Sequence, residues 1–231
     1  MVSTKEKKKL LFLHGYLSSS KSFYYQTSFF ARDFNVYAPD FKGFGENVGM
    51  DKPYSLDDYV DDLVEYLRAN DIEKPLVIAH SFGARVAIKA CARNPDIFEK
   101  LVLTGAAGLK PKPTLKKVVK KTAFKMLSPF VKKQNLKRFY SKDYLALSGV
   151  MRESFKLIIS EHLDNLVSSI KIPTLIVFGK NDRETPIYMA KKLNRLIVDS
   201  KLTIINGAGH FCFVDCPYKF NLEVREFLVS H

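Results

Sequence analysis

A serine, an aspartate and a histidine whose chemistry suits nucleophilic catalysis occur along the chain in that order. Ser81 lies in the stretch AHSFG, Asp182 in GKNDRETP and His210 in GAGHF, and each stretch follows a short apolar run. A serine hydroxyl is a weak nucleophile, so it needs a base that removes its proton, and a histidine base needs a carboxylate that orients its ring. The pattern therefore predicts Ser81 as nucleophile, His210 as base and Asp182 as the orienting acid.

The other four histidines are less well placed to act as the base. His80 is next to the serine in the same turn and cannot readily swing round to take its proton, and His14 lies in a loop after an earlier apolar run. His162 belongs to a helical stretch and His231 is the last residue. His210 lies in a glycine-containing loop, from which its ring can reach across to the serine.

Alternatives to Asp182 as the acid lie close to it in the sequence. Glu184 follows it by two residues in the same predicted loop and is the second choice. Glu161 and Asp164 belong to the helical stretch before the preceding strand and are worse placed. Asp182 is preferred because it lies just past a predicted strand, where sites of α/β sheets are found.

Six short apolar runs alternate with helical patterns, and this alternation predicts an α/β fold. The runs are rich in Val, Ile and Leu, as is typical of strands buried on both faces of a parallel sheet. The predicted strands are Lys8–His14, Asn35–Pro39, Pro75–His80, Lys100–Gly105, Pro173–Gly179 and Lys201–Gly207. We therefore expect a doubly wound, mostly parallel sheet of about six strands, with the site at the carboxyl ends of the strands.

Two helices have recognisable start signals. Ser55 precedes an amphipathic pattern and is followed three residues later by Asp58, which predicts an N-terminal cap. Thr185 and Pro186 precede the stretch IYMAKKLNRLI, and we expect them to occupy the cap and the first helical position. The stretch FNLEVREFL at 220–228 is typical of a closing helix.

Residues 107–170 carry helical patterns but no convincing strand, including an amphipathic stretch at 114–127. We therefore expect a core formed by residues 1–106 and 171–231, with residues 107–170 inserted as a helical cap or lid. The net charge is +13, and no Asp or Glu occurs between Lys100 and Lys142. This basic stretch is either a solvated, lysine-rich face or a surface that attracts an anionic acyl substrate or makes weak contact with an anionic membrane.

No metal or cofactor site is predicted. Cys212 and Cys216 are four residues apart, but no second Cys or His pair completes a zinc site. The stretch GFGENVG at 43–49 lacks the glycine spacing of a dinucleotide fingerprint. The third cysteine, Cys91, makes the number odd, which is not a disulfide framework. Together with the short apolar part of the N-terminus, this predicts a cytoplasmic location.

The motifs together resemble the α/β-hydrolase superfamily, in particular small bacterial serine hydrolases of the esterase or lysophospholipase type with a helical cap. The matching stretches are HG at 14–15, PDFKGFG at 39–45, AHSFG at 79–83, FGKNDRETP at 178–186 and GAGHF at 207–211. The sequence departs from the family at Ala79 and Ala84, where glycines are common, and the first two strands of the superfamily sheet are expected to be missing. Ala79 adds one methyl group to the G-x-S-x-G turn that carries the nucleophile in this family.

The resemblance also implies where the other site residues lie. The backbone N–H of Phe82, directly after the nucleophile, is one predicted donor to the oxyanion of the tetrahedral intermediate. The resemblance assigns the second donor to the backbone N–H of Tyr16. His14, Gly15 and Phe211 are candidates for the wall of the substrate pocket.

The predicted reaction is hydrolysis of a carboxylic ester or a related acyl bond in a small-molecule substrate. A carbon–carbon bond hydrolase or an amidase on the same three residues is an alternative, and so is a non-catalytic protein that binds small molecules in a hydrolase shell. The loop HGYLSS differs from the HGGPG of proline iminopeptidases, which makes a peptidase less favoured. No nucleic-acid recognition motif accompanies the positive charge, and the sequence does not indicate an oligomeric state.

Overall fold

The computed structural model describes residues 7–112, 147 and 149–230. The helix predicted at 114–127 and most of the basic stretch up to Lys142 lie outside these residues. Of the predicted insertion at 107–170, the structure describes residues 107–112, 147 and 149–170. This described part forms the α-helix Gly149–Ser160 and the 3-10 turn Val167–Ser169, and it contains no strand.

Six strands of the described chain form one sheet, and all neighbouring strands run parallel. The strands are β1 (Lys9–Leu13), β2 (Asn35–Tyr37), β3 (Leu76–His80), β4 (Lys100–Thr104), β5 (Thr174–Gly179) and β6 (Ser200–Ile205). Their order across the sheet is β2-β1-β3-β4-β5-β6. The predicted parallel sheet is confirmed, and each strand ends within two residues of its predicted bounds.

Helices pack on both faces of this sheet. They are α1 (Tyr24–Phe30), α2 (Leu56–Ala69), α3 (Phe82–Arg93), α4 (Gly149–Ser160), α5 (Ile187–Leu196), α6 (Cys212–Asp215) and α7 (Pro217–Val229). One hydrophobic core lies between the sheet and α2, α3 and α5, and a second lies between the sheet and α1, α6 and α7. None of the helices in the described ranges has the length and apolar character that crossing a membrane requires.

The strands are buried on both faces because alternate side chains enter different cores. In β1, Leu11 and Leu13 pack in the core with α2 and α3, whereas Leu10 and Phe12 pack in the core with α1 and α7. All four side chains are almost completely buried. A run without polar alternation is therefore the pattern that this position in the fold demands.

Of the two predicted helix starts, the structure confirms the one at Ser55 and corrects the one at Thr185 and Pro186. Ser55 caps α2 as predicted: its hydroxyl accepts the N–H of Asp58, and the Asp58 side chain accepts the N–H of Ser55. The prediction for Thr185 and Pro186 is wrong by one residue, because the helix begins at Ile187 and its N-cap is Pro186. The hydroxyl of Thr185 is not a cap, since it donates to Asp182 instead.

The strand order determines where a site can form. The chain passes from β1 to β2 on one side, and from β3 it continues toward the opposite edge of the sheet. Because Leu13 at the end of β1 pairs with Ala79 in β3, the loops that begin at His14 and Ser81 emerge side by side. Open α/β sheets bind ligands where the direction of winding changes in this way.

Candidate active site

Ser81 lies in the turn between β3 and α3. Its backbone has φ of 50° and ψ of −103°, and a left-handed φ of this kind costs a non-glycine residue about 1–3 kcal/mol. The N–H of Ser81 donates to the carbonyl of Thr104 at 3.1 Å, and its carbonyl accepts the N–H of Arg85 at 3.4 Å. These bonds hold the strained serine at the carboxyl edge of the sheet.

The close approach of α3 to β1 explains the glycine at position 83. A Cβ atom on Gly83 would lie 2.3 Å from the carbonyl oxygen of Leu13, which is a backbone atom. The N–H of Gly83 donates to the carbonyl of His14 at 3.0 Å. The first turn of the helix that follows Ser81 is therefore held against the loop after β1.

Asp182 and His210 form a hydrogen-bonded pair that joins the loops after β5 and β6. His210 Nδ1 lies 2.9 Å from Asp182 Oδ2. Asp182 also accepts the N–H groups of Glu184 and Thr185, both at 2.9 Å, and the hydroxyl of Thr185 at 2.7 Å. Burial alone would raise the pKa of Asp182, but the hydrogen bonds from His210 and Thr185 outweigh burial and hold the pKa below its usual value. Because Asp182 is therefore ionised at neutral pH, Nδ1 of His210 carries a proton and Nε2 remains an acceptor in the neutral ring.

Ser81 lies at the same edge of the sheet as this pair but is not hydrogen-bonded to it. The Ser81 hydroxyl makes no hydrogen bond with any described residue, and catalytic hydrogen bonds are often long when no substrate is bound. The ring of His210 packs on the ring of His80, which precedes the serine, with centroids 4.7 Å apart. Ser81, Asp182 and His210 therefore follow strands that end at one edge of the sheet, and Nε2 of His210 has no hydrogen-bond partner among the described residues.

His80 has a structural environment that differs from that of His210. Burial lowers the pKa of His80 to about 3, so its ring is neutral. Its Nε2 lies 3.2 Å from the carbonyl oxygen of His210 and donates to it, whereas Nδ1 has no partner among the described residues. A Cβ atom on Gly15 would lie 2.8 Å from that Nδ1. The hydrogen bond from His80 therefore helps to hold the backbone of His210 in position.

The cavity next to Ser81 has a volume of about 430 Å³, which is within the range of small-molecule sites. Its lining is mostly apolar, and Arg85, His162 and Glu184 contribute the side chains of acidic or basic type. The described residues that line it are Tyr16, Ser81, Phe82, Arg85, Ala107, Gly108, Leu109, Pro111, Phe155, Ile158, Ile159, His162, Glu184, Thr185 and Met189. Within the described ranges, no group of three or more His, Cys, Asp or Glu side chains is arranged to hold a metal ion.

Two predicted oxyanion donors are available at this cavity. The backbone N–H groups of Tyr16 and Phe82 have no acceptor among the described residues. For Phe82 this follows from its position at the start of α3, where N–H groups lack intrahelical acceptors. Both residues line the same cavity as Ser81, and their role as oxyanion donors stays a prediction.

The three predicted pocket residues, His14, Gly15 and Phe211, are not among the residues that line the cavity. The side chain of His14 turns inward, where its Nδ1 lies 2.8 Å from the Gly15 carbonyl and its Nε2 accepts the N–H of Phe41 at 3.0 Å. Phe211 is partly exposed, and its ring packs on the ring of His80 with the two centroids 4.8 Å apart. These residues support the loops instead of contacting the cavity.

Helix α4 forms one wall of the cavity and is held at both ends. The hydroxyl of Tyr16 donates to the carbonyl of Met151 at 3.2 Å, near the start of the helix. At its end, Nη2 of Arg85 donates to the carbonyls of Ile158 at 2.7 Å and Glu161 at 3.1 Å. The loop after β1 and the helix after the serine therefore both position this wall.

Two residues of the site were missed by the sequence reasoning. Thr185 bonds the orienting carboxylate, and a signal for it exists in the turn-forming Asp three residues earlier. Arg85 lines the cavity because it follows Ser81 by four residues on a helix, which places it one turn away on the same side. In both cases the sequence contains the spacing of the two residues, but it does not show which groups the side chain contacts.

Comparisons with known proteins show the family to which the chain belongs. A family model described as serine aminopeptidase, S33 matches residues 4–217. The AB hydrolase superfamily protein YisY of Bacillus subtilis (strain 168) is 26% identical over 245 residues, covering 94% of this chain and 90% of that protein. The 2-hydroxy-6-oxo-6-(2'-aminophenyl)hexa-2,4-dienoic acid hydrolase of Metapseudomonas resinovorans is 26% identical over 223 residues, covering 86% of this chain and 75% of that protein.

A solved structure has the same fold. The esterase EaEST from Exiguobacterium antarcticum matches with a TM-score of 0.78 at 21% identity, covering 97% of this chain and 93% of the esterase. This likeness concerns the fold, whereas the family model spans most of the sequence. The chain therefore belongs to the family described as serine aminopeptidase, S33, and is a hydrolase of the α/β-hydrolase superfamily.

Proposed function

We propose that the protein is a serine hydrolase that cleaves a carboxylic ester or a related acyl bond through an acyl-enzyme on Ser81. The observation that carries this proposal is the 2.9 Å hydrogen bond between Asp182 and His210 beside the strained turn that presents the serine. Ser, His and Asp in these roles form the triad that activates a serine hydroxyl for attack on a carbonyl.

In the first half of the reaction, Ser81 Oγ attacks the carbonyl carbon of the substrate and its proton passes to Nε2 of His210. Asp182 accepts the Nδ1 proton of His210 in a hydrogen bond and stabilises the imidazolium that forms. The N–H groups of Tyr16 and Phe82 donate to the oxyanion of the tetrahedral intermediate. One such donor contributes about 3–4 kcal/mol of transition-state stabilisation.

In the second half, the intermediate collapses and His210 returns the proton to the leaving group, so that an alcohol departs and the acyl group stays on Ser81. A water molecule then attacks the acyl-enzyme and gives its proton to His210. The second intermediate releases the carboxylic acid, and the proton returns to the serine. No net change occurs in the protein, and one water is consumed for each bond cleaved.

A carbon–carbon bond hydrolase on the same residues is the second candidate. It is favoured by the relative from Metapseudomonas resinovorans, whose name is that of a hydrolase of a 2-hydroxy-6-oxo dienoic acid. The ester proposal is preferred because it requires only the groups already described: a nucleophile, a base and two donors.

A fluorophosphonate probe tests the proposed function, since it forms a covalent adduct only with an activated serine. We expect the wild-type protein to be labelled and Ser81→Ala to remain unlabelled at equal protein concentration. A series of p-nitrophenyl esters of graded acyl length then gives kcat/KM for each chain length. Cleavage of a 2-hydroxy-6-oxo dienoate without cleavage of any ester would favour the second candidate.

A non-catalytic binding protein predicts a different outcome. In that case the wild-type protein would fold normally, as judged by circular dichroism, and yet neither react with the probe nor hydrolyse any ester. This result would contradict the proposed function, because an activated serine reacts with a fluorophosphonate whatever its natural substrate.

A further inference from the structure

Arg85 is a buried cation in the wall of the cavity that contains Ser81. Only 6% of the residue is exposed. It lies on α3 one turn after the serine, whose carbonyl accepts the Arg85 N–H, and both side chains line the same cavity. A guanidinium is thereby placed next to the reacting position in an otherwise mostly apolar space.

The contacts of Arg85 use only part of its hydrogen-bonding capacity. Nη2 donates to the carbonyls of Ile158 and Glu161 at the end of α4. Nε and Nη1 make no hydrogen bond with the described residues, and neither is among the atoms buried without a partner. A guanidinium has five N–H groups, so capping of α4 accounts for the two on Nη2 and leaves the N–H of Nε and the two N–H groups of Nη1 without a partner among the described residues.

No carboxylate neutralises Arg85 among the described residues. The nearest acid, Glu161, is bound to Lys89 at 2.7 Å, and Lys89 also binds Asp57 at 2.8 Å. Outside the described ranges, the chain contains only two acidic residues, Glu6 and Asp143. Burial lowers the pKa of Arg85, but an arginine stays protonated at neutral pH.

A buried charge without a counter-ion is costly, and the partial negative charge at the end of α4 offsets that cost only in part. A carboxylate on the substrate would complete the balance, because it can accept a charge-assisted hydrogen bond from Nη1 or Nε. The other acid on the cavity wall, Glu184, is exposed and solvated, so its charge opposes a bound anion only weakly.

We propose that Arg85 binds a carboxylate carried by the acyl part of the substrate, so that the enzyme prefers acidic acyl esters over neutral ones. This inference rests on the proposed function, because it assumes that acyl transfer occurs at Ser81. Arg85 follows the serine by about one helical turn and lines the same cavity, so an acyl chain of moderate length suits the test.

Two esters of equal acyl length test the proposal: p-nitrophenyl hydrogen adipate, which carries a terminal carboxylate, and p-nitrophenyl hexanoate, which does not. For the wild-type enzyme we expect kcat/KM to be at least about tenfold higher for the adipate ester, as a charge-assisted contact implies. Arg85→Gln should lower the ratio of the adipate kcat/KM to the hexanoate kcat/KM at least about tenfold.

Lys89→Gln is the matched control. Lys89 lies one turn further along α3 and shares the Glu161 contact, but it does not line the cavity. The ratio of the two kcat/KM values should remain that of the wild type. If Arg85 acted only as a cap for α4, Arg85→Gln would lower both kcat/KM values by the same factor, and this outcome would overturn the proposal. A wild-type enzyme without preference for the adipate ester would overturn it too.

A binding measurement separates this proposal from the proposed function. Adipate is titrated calorimetrically into Ser81→Ala and into the double variant Ser81→Ala/Arg85→Gln, and we expect at least about tenfold weaker binding to the double variant. Loss of fluorophosphonate labelling in the wild type with this difference intact would contradict only the hydrolase chemistry. If Arg85→Gln does not fold, Arg85→Lys replaces it: the charge remains without the planar fork, and the adipate preference should fall but not vanish.

Discussion

His210 Nδ1 lies 2.9 Å from Oδ2 of Asp182, although 28 residues, which include helix α5 and strand β6, separate them. The pair predicts that Asp182→Asn lowers kcat for a neutral ester by about 10⁴-fold, because an amide can donate to Nδ1 and so stabilise the wrong tautomer of the ring. Hydrolysis of p-nitrophenyl hexanoate, followed by the release of p-nitrophenol, gives kcat for the wild type and for the variant.

Glu184→Gln is the control for that prediction, since Glu184 is the other acid of the same loop. Its side chain is exposed, and only its backbone N–H bonds Asp182. We expect kcat within about threefold of the wild type, as for most surface substitutions. A larger loss at Glu184 than at Asp182 would show that the acid has been misassigned.

Thr185→Val removes the hydroxyl that donates to Asp182 Oδ2 at 2.7 Å while keeping the shape of the side chain. The loss of one hydrogen bond to the orienting carboxylate should lower kcat by about tenfold, which corresponds to about 1.4 kcal/mol. Thr203→Val is the matched control. The hydroxyl of Thr203, in β6, donates to the side chain of Glu223, in α7, and its loss should leave kcat unchanged. Equal kcat values for the two variants would argue against a role for Thr185.

Gly83→Ala should prevent stable folding or lower the free energy of unfolding by about 3 kcal/mol or more, because the new Cβ meets the Leu13 carbonyl at 2.3 Å. Gly149→Ala is the control, since no atom lies within 4 Å of the added Cβ there. Urea unfolding followed by circular dichroism compares the two. Similar stabilities would mean that α3 can move away from β1 at little cost.

Ala79→Gly tests the position where the sequence departs from the turn motif of its family. Ala79 is fully buried inside β3, so the substitution should cost about 1 kcal/mol of stability through backbone entropy. We expect the hexanoate kcat to stay near that of the wild type, because Ala79 touches neither the cavity nor the His210 pair. An inactive but folded variant would contradict this.

The stability of the protein should fall on acidification in part because of His80. Its pKa is about 3 in the folded protein, against 6.5 ordinarily. Below about pH 6.5 the unfolded chain takes up a proton that the folded protein does not accept until about pH 3, so the free energy of unfolding falls by up to about 1.4 kcal/mol per pH unit across that window. Urea titrations between about pH 7 and pH 4.5 measure this slope.

His80→Gln should give a shallower slope, since the amide can still donate to the His210 carbonyl but does not titrate. Part of the slope will persist, because burial also lowers the pKa of His14 and several carboxylates have lowered pKa values in the folded protein. An unchanged slope in His80→Gln would show that His80 gains its proton in the native structure.

The features that the sequence predicts well are those encoded locally. Six apolar runs predict the strands because burial on both faces leaves each run without polar alternation. Ser55 and Asp58 predict the start of α2 because the capping bonds join residues three apart. Thr185 has the residue type of a similar cap, but its hydroxyl donates to Asp182 three residues earlier, so one local hydrogen bond replaces another.

The residues that shape the cavity could not be predicted in the same way. Arg85 contacts carbonyls 73 and 76 residues away, and Tyr16 contacts one 135 residues away. No local spacing encodes such contacts, because they arise only when α4 packs beside the sheet. The sequence does predict the set of Ser81, Asp182 and His210, because each of them follows its own predicted strand. A parallel sheet brings the carboxyl ends of its strands to one edge.

The manner in which α4 is held has a consequence for how this enzyme can change. The hydrogen bonds from Tyr16 and Arg85 are made to backbone carbonyls, which every amino acid possesses. Other contacts of α4 depend on side chains, such as Ser154, which accepts the N–H of Tyr54, and Phe155, whose ring packs on Tyr16. Ile158 and Ile159 both line the cavity, but Ile158 is buried in the core, whereas Ile159 is half-exposed. Substitutions at Ile159 should therefore reshape the cavity without releasing the helix, which makes this position a starting point for directed evolution.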